Sequence, residues 1–198
     1  MKNGKSSEVS DNRRDAILQA AYTLFGTVGY SKASMKEIAA KAGVAQGLIG
    51  YHFGSKEKLL VDVVREWMIN RGMRDASLRL QKVESPNEIL LAAMNHVVEF
   101  RKENPEWFTL LVSLWVEGRQ NEKLAAALTE IYKEMQVEVC EVIKRLELNL
   151  EDTQIEVLAS IVQAILDGLT LQAAGSLDRN GITGIEWVLK GMGISIPT

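Results

Sequence analysis

The sequence has little of what chemistry or cross-linking requires. It contains one cysteine and two histidines in 198 residues. Cys140 has no partner for an intrachain disulfide, and with only His52 and His96 beside it a Cys/His zinc site lacks ligands. No cofactor and no metal are expected. Only three prolines occur, Pro86, Pro105 and Pro197, so long helices can run uninterrupted. The apolar stretches are broken by Glu, Lys, Gln or Asp well short of a membrane span, so no membrane partner is expected. The N-terminal MKNGKSSEVSDNRRD is polar and lacks the apolar stretch of an export signal, and the expected location is cytoplasmic. No His-Glu-x-x-His, phosphate-loop glycine pattern or nucleophile elbow occurs, which argues against an enzyme. No segment alternates over a run of β-branched residues, which argues against strands.

What is present is helical periodicity and an uneven charge. Hydrophobic residues make up 46% and charged residues 25%, an ordinary globular composition. The formal net charge is -3. Residues 1–60 carry nine Lys/Arg against five Asp/Glu, and the other 138 residues carry fourteen against twenty-one. A basic head on an acidic body suits a protein that meets phosphates with one end. The length fits a small domain joined to a larger one. Residues 1–11 are expected to form a loose arm.

The periodicity predicts a first helix from about Asp11 to Val28, with Ile17, Ala21, Leu24 and Val28 inward and Ala20 and Phe25 widening the stripe. Gly29 ends it. A second helix starts at Ser34, where Ser34-Met35-Lys36-Glu37 has the capping-box spacing. Ile38, Ala39 and Ala42 face inward, and Ala42-Gly43-Val44 is a turn. Gly43 can adopt a left-handed backbone without steric cost. A third helix spans about Ala45–Phe53, Ser55 is a candidate N-cap, and one long helix runs from Lys56 towards Leu80. Further helices are expected at about 87–103, 106–118, 122–147, 152–175 and 184–190. Pro105 is placed at the first position of its helix and Asn121 at a cap. The stripe Ile155, Leu158, Ala159, Val162, Ile165, Leu166 and Leu169 is wide enough to cover a core or to form a subunit interface.

Two short helices about a three-residue turn, Ser34–Phe53, form a helix-turn-helix, whose second helix the DNA major groove admits. A helical hairpin in a scaffold has the same local pattern. Specific residues go further. Ile17-Leu18-Gln19-Ala20-Ala21, Leu24-Phe25, Gly29-Tyr30, Ser34 through Ile38-Ala39, Ala42-Gly43-Val44, Gly47, His52-Phe53 and Lys56-Glu57-Lys58-Leu59-Leu60 resemble the DNA-binding domain of the TetR family. Gly50 departs from the pattern, which most often has Tyr there. A glycine inside a helix costs roughly 1 kcal/mol against alanine, but it permits close approach to DNA.

The resemblance implies an all-α chain. A three-helix bundle with a helix-turn-helix (residues 11–60) precedes a larger helical ligand-binding and dimerisation domain (residues 61–198). It places Ala45, Gln46, Gly47 and Leu48 at the start of the recognition helix. Gln46 can pair with adenine N6/N7 and Leu48 can meet a thymine methyl; Gln46 as a plain solvated residue remains open. Ser34, Lys36, Tyr51, His52 and Lys56 are implied phosphate contacts, His52 being equally a packing residue. Lys32 is expected to lend charge to the same face.

In the body, Trp107-Phe108 through Leu111, Trp115 and Glu117, and Ala164-Ile165-Leu166-Asp167-Gly168-Leu169, resemble the C-terminal domain of the BetI-like branch. The implied partners are an operator in double-stranded DNA, a second copy of the chain and a small apolar or amphipathic effector. Trp67, Met94, Asn95, Phe108, Trp115, Met135 and Cys140 either line an effector pocket or belong to ordinary core and surface. His96 and Glu117 are further polar residues in apolar periods. The implied function is a ligand-responsive repressor with the Lys56–Leu80 helix as lever. A DNA-binding regulator without an effector, or an activator, is the alternative.

Overall fold

The computed structural model of the chain describes residues 3–173 and residue 191. All regular structure among the described residues is helical. The elements are α1 (Asn3–Val28), α2 (Met35–Ala42), α3 (Gln46–Phe53), α4 (Lys56–Arg65), a π-helix (Glu66–Met73), α5 (Arg74–Leu80), α6 (Pro86–Glu103), α7 (Trp107–Gly118), α8 (Glu122–Lys144) and α9 (Asp152–Ala173). The expected helix at 184–190 lies outside the described residues. No described helix is long and apolar enough to cross a membrane.

The helices gather into two compact units. One comprises the chain up to Trp67 with Glu106–Glu130, so that α7 packs with α1 and α4. Its core holds Ile17, Leu18, Ala21 and Phe25 of α1, Ile38 of α2, Ile49 and Phe53 of α3, Leu59, Leu60 and Val63 of α4, and Leu110 and Leu114 of α7, all fully buried. Of the expected stripe of α1, Ile17, Ala20, Ala21 and Phe25 are buried, and Leu18 and Tyr22 join them. Val28 is 45% exposed and Leu24 only half-buried. Trp67 stacks on Tyr22 with ring centroids 4.0 Å apart and planes 6° from parallel. At the entry to α7, a Cβ on Gly26 would overlap the Glu106 Cβ and lie 3.1 Å from its Cα, so only glycine admits this approach.

The other unit comprises Met68–Pro105 with the chain from Ile131 onward. Here α8 and α9 bury Val139, Ile143, Ile155, Leu158 and Ala159 against each other. Arg145, in the turn after α8, donates from Nη2 to the carbonyls of Leu80 (2.8 Å) and Val83 (2.6 Å), at and just beyond the end of α5.

Several boundaries depart from the sequence pattern. Helix α1 begins at Asn3, so the expected loose arm is helical from there. Pro86, not Pro105, occupies a first helical position; α7 starts at Trp107 and Pro105 lies in the preceding turn. The expected single helix from Lys56 to Leu80 is divided by the π-helical turns of Glu66–Met73. In that segment the Gly72 carbonyl lies 2.9 Å from His96 Nε2. A carbonyl can only accept, so Nε2 carries the proton. This bond to α6 gives Gly72 a partner outside its own helix, at a place where a wider turn interrupts the i→i+4 ladder.

Candidate nucleic-acid interface

The helix-turn-helix is built by local hydrogen bonds that its residues dictate. Ser34 has extended backbone (φ -104°, ψ 151°) and caps α2. Its hydroxyl accepts from Glu37 N–H at 3.2 Å, and its own N–H donates to Glu37 Oε2 at 2.9 Å. The Ser34 hydroxyl also donates to Glu37 Oε2 at 2.7 Å. These bonds hold the Glu37 carboxyl below its ordinary value, chiefly through the Ser34 side chain and then its backbone. Gly43 ends α2 in the left-handed region (φ 67°), and Val44 N–H then reaches the Ala39 carbonyl at 3.0 Å. That closure fixes where α3 begins.

Helix α3 starts differently. Its N-cap is Ala45, which offers no side-chain acceptor, so the first N–H groups of α3 have no cap. Ile49 and Phe53 are fully buried and anchor the helix. Ala45, Gln46, Gly47, Gly50 and Tyr51 are exposed, Tyr51 to 82%, and Leu48 and His52 are half-buried. The outer surface of α3 therefore carries one amide side chain, one phenol and two glycines. Tyr51 and His52 meet edge to face at 5.2 Å.

The phosphate candidates differ in freedom. Lys36 is exposed. Ser34 is exposed but engaged in the capping box. Lys56 is half-buried: Nζ donates to the Ser31 carbonyl at 3.3 Å and sits 4.4 Å over the centre of the Tyr30 ring. Burial draws the Lys56 ammonium below its ordinary value, opposed by the carboxylates of Glu117, Glu57 and Glu37. Burial, with Glu57 and Glu117, pushes the Tyr30 phenol up to about 12. Glu117, near the end of α7, accepts from the Ser31 hydroxyl at 3.1 Å. Tyr30, Ser31 and Glu117 thus surround Lys56, an arrangement that motif reading misses because Ser31 and Glu117 lie 86 positions apart. Arg14 is also engaged, 5.4 Å over the Phe53 ring and 3.7 Å from Asp62.

The seven residues expected around an effector are not brought together within either unit. Trp67, Phe108 and Trp115 lie in the unit of the DNA-binding helices; Met94, Asn95, Met135 and Cys140 lie in the other. Trp67 is buried by stacking on Tyr22, Met94 and Met135 are buried, Trp115 is half-buried and Asn95 is exposed. Half-buried Cys140 packs against the α8–α9 core, and burial pushes its thiol up. The second unit carries a cleft of about 530 Å³ between the π-helix, α5 and α6. Arg71, Asp75, Arg79, His96, Glu99 and Phe100 are among the residues that line it. Of these, only His96 stood out in the sequence, as a polar residue in an apolar period.

A half-buried polar cluster lies elsewhere in the same unit. Tyr132 donates to Asp167 Oδ2 at 2.7 Å, and Arg101 Nη2 donates to the Leu166 carbonyl at 2.9 Å. Burial raises the Asp167 carboxyl above its ordinary value, and the Tyr132 bond and then Arg101 oppose it.

Comparison with known proteins agrees with this geometry. Residues 17–63 match the family model of bacterial regulatory proteins of the tetR family, and residues 86–183 match that of the C-terminal part of BetI-type transcriptional repressors. The HTH-type transcriptional repressor NicS of Pseudomonas putida is 30% identical over 57% of this chain and 52% of its own length. The HTH-type transcriptional regulator BetI of Agrobacterium fabrum is 31% identical over 56% of this chain and 53% of its own length. The chain thus spans about half the length of these two relatives. A crystal structure of a transcriptional regulator from Pseudomonas aeruginosa PAO1 superposes with a TM-score of 0.76 at 22% identity, covering 92% of this chain and 90% of that one. An all-helical chain with this helix-turn-helix and both family matches belongs to the TetR family of transcriptional regulators.

Proposed function

We propose that the chain is a cytoplasmic, ligand-responsive repressor that binds a palindromic operator as a homodimer and is released by a small apolar or amphipathic effector. Residues 11–60 read DNA, and residues 61–198 bind effector and dimerise. The observation that carries the DNA reading is the outer surface of α3. Gln46, Gly47, Gly50 and Tyr51 are exposed on a helix anchored from behind by Ile49 and Phe53. Gln46 is assigned to base readout, Leu48 to a thymine methyl, and Ala45 and Gly47 to close backbone approach. Ser34, Lys36, Tyr51, His52 and Lys56 are assigned to phosphates.

The dimer reading rests on α9. One face, with Ile155, Leu158 and Ala159, is buried against α8. A second face carries Val157 (61% exposed), Ile161 (45%), Ala164, Gly168 and Leu171 (45%) at alternating spacings of four and three. Among the described residues, a Cβ on Gly168 would meet nothing within 4 Å. An apolar seam with this repeat suits a matching helix from a second copy, and a two-fold dimer matches a two-fold operator. For the effector, Trp67, Met94, Asn95, Phe108, Trp115, Met135 and Cys140 remain the assigned residues. The repressor sign follows the description of the model matched by residues 86–183.

Selection of bound fragments from the source genome, followed by sequencing, tests the proposal. An enriched two-fold symmetric site is the expected result. Folded, dimeric protein that enriches nothing, with and without extraction of bound small molecules, overturns it.

A further inference from the structure

Resting on the DNA reading above, we propose that Glu117 is an internal anionic competitor for Lys56. Helix α7 docks this carboxylate beside a cation that DNA phosphate would otherwise take, so the seating of α7 sets how much of Lys56 the DNA can use. Three contacts place Glu117 there. Its Oε1 accepts from the Ser31 hydroxyl at 3.1 Å. The carbonyl of the same Ser31 accepts from Lys56 Nζ at 3.3 Å. Lys56 in turn lies 4.4 Å over the Tyr30 ring, one residue before Ser31. Glu117 is the leading carboxylate acting on Lys56, ahead of Glu57 and Glu37. Glu57 and Glu37 belong to α4 and α2, within the DNA-binding helices themselves. Glu117 alone comes from outside them.

Its position in α7 supports the same assignment. Glu117 stands in the last turn, and that turn contains no basic residue. A carboxylate at a helix C-terminus is disfavoured by the helix dipole. Here Ser31 and Lys56 compensate it across the gap between helices. At the other end, Gly26 of α1 meets Glu106 with no room for a Cβ. Helix α7 is therefore held to the DNA-binding helices at both of its ends, and a shift of α7 would free Lys56 only by parting Glu117 from Ser31.

The variant Glu117→Gln isolates the charge, because the amide oxygen can still accept from Ser31. It should bind both a selected and a scrambled duplex more tightly, by about threefold to tenfold at moderate salt, with a salt slope steeper by up to about one ion. Introduced into Lys56→Ala protein, the same substitution should have no such effect. Equal gains in both backgrounds, or no gain in either, overturn the proposal. A readout without DNA decides it independently: the Lys56 side-chain amine, followed by NMR titration, should fall in pKa in Glu117→Gln protein. An unchanged Lys56 titration overturns the competitor role whatever the DNA result. A shifted titration in protein that binds no duplex at all keeps the Glu117–Lys56 coupling and refutes the DNA reading instead.

Discussion

Replacing Gly50 by alanine should make the protein more stable and a worse reader of its operator. Gly50 lies inside the eight-residue α3, is exposed, and has open space around the position a Cβ would take, with nothing within 4 Å. Its φ is not in the left-handed region, so alanine can adopt the same backbone. The helix then gains the difference in propensity, about 1 kcal/mol. For a chain of this size that corresponds to a rise in melting temperature of roughly 2–4 °C. Thermal and denaturant unfolding must be followed at one fixed protein concentration, since association would move both. On DNA the same methyl group stands on the surface assigned to the groove, one turn from Gln46. If the backbone meets DNA there, the misfit costs about 1–3 kcal/mol, as overpacking does in a core. Affinity for the selected duplex then falls about tenfold or more. Fluorescence anisotropy on selected and scrambled duplexes separates the effects. A variant less stable than the parent refutes the open helical environment of Gly50. A more stable variant with unchanged operator affinity refutes the close approach.

Four further outcomes are expected. Gly26→Ala should destabilise the protein by about 1–3 kcal/mol in chemical denaturation despite its better helix propensity, because the new methyl overlaps Glu106. Ser34→Ala should cost about 1 kcal/mol and should flatten the acid side of the stability profile. The Glu37 carboxyl is held low by Ser34, so its contribution is present above the ordinary carboxylate range and lost as pH falls through the lowered value. Asp167→Asn should stabilise the protein at neutral pH. Burial raises this carboxyl, so the wild type loses stability as pH climbs from the ordinary carboxylate value through the raised one; the advantage of Asn should vanish at acid pH. Val157→Glu with Ile161→Glu should reduce the mass seen by light scattering from twice 22.0 kDa to one chain, with the helical circular dichroism retained.

The features legible in the sequence are those held by short-range bonds. The capping box of Ser34 and Glu37, the left-handed Gly43, and the caps at Ser55 and Asn121 each involve residues within four positions, and each forms as its spacing implies. The exposed face of α3 was likewise legible, because Ile49 and Phe53 are one turn apart and point the opposite way. What the sequence did not disclose depends on distant partners. The π-helix at Glu66–Met73 has no local signature, and one of its carbonyls is satisfied by His96, 24 positions away. The surroundings of Lys56 depend on Glu117, whose place beside Ser31 follows from how α7 packs on α1 and α4. The stripe of α1 keeps Ile17, Ala20, Ala21 and Phe25 buried as the period implies, but several registers of this helix are apolar, and packing adds Leu18 and Tyr22 while leaving Leu24 half-buried and Val28 exposed. The effector candidates are large or soft side chains, with Asn95 a polar residue in an apolar period, and these are properties that core, surface and pocket share, so sequence pattern alone does not separate those roles.

Helix α9 is apolar on two sides, and among the described residues only one of them is covered. An unpaired chain therefore carries a strip of hydrocarbon into water, the kind of surface that chaperones and proteases recognise. Copies made in excess of their partners would be cleared faster than paired ones. The number of DNA-competent molecules would then vary more steeply than the rate of synthesis, giving gene dosage a threshold before any effector is present.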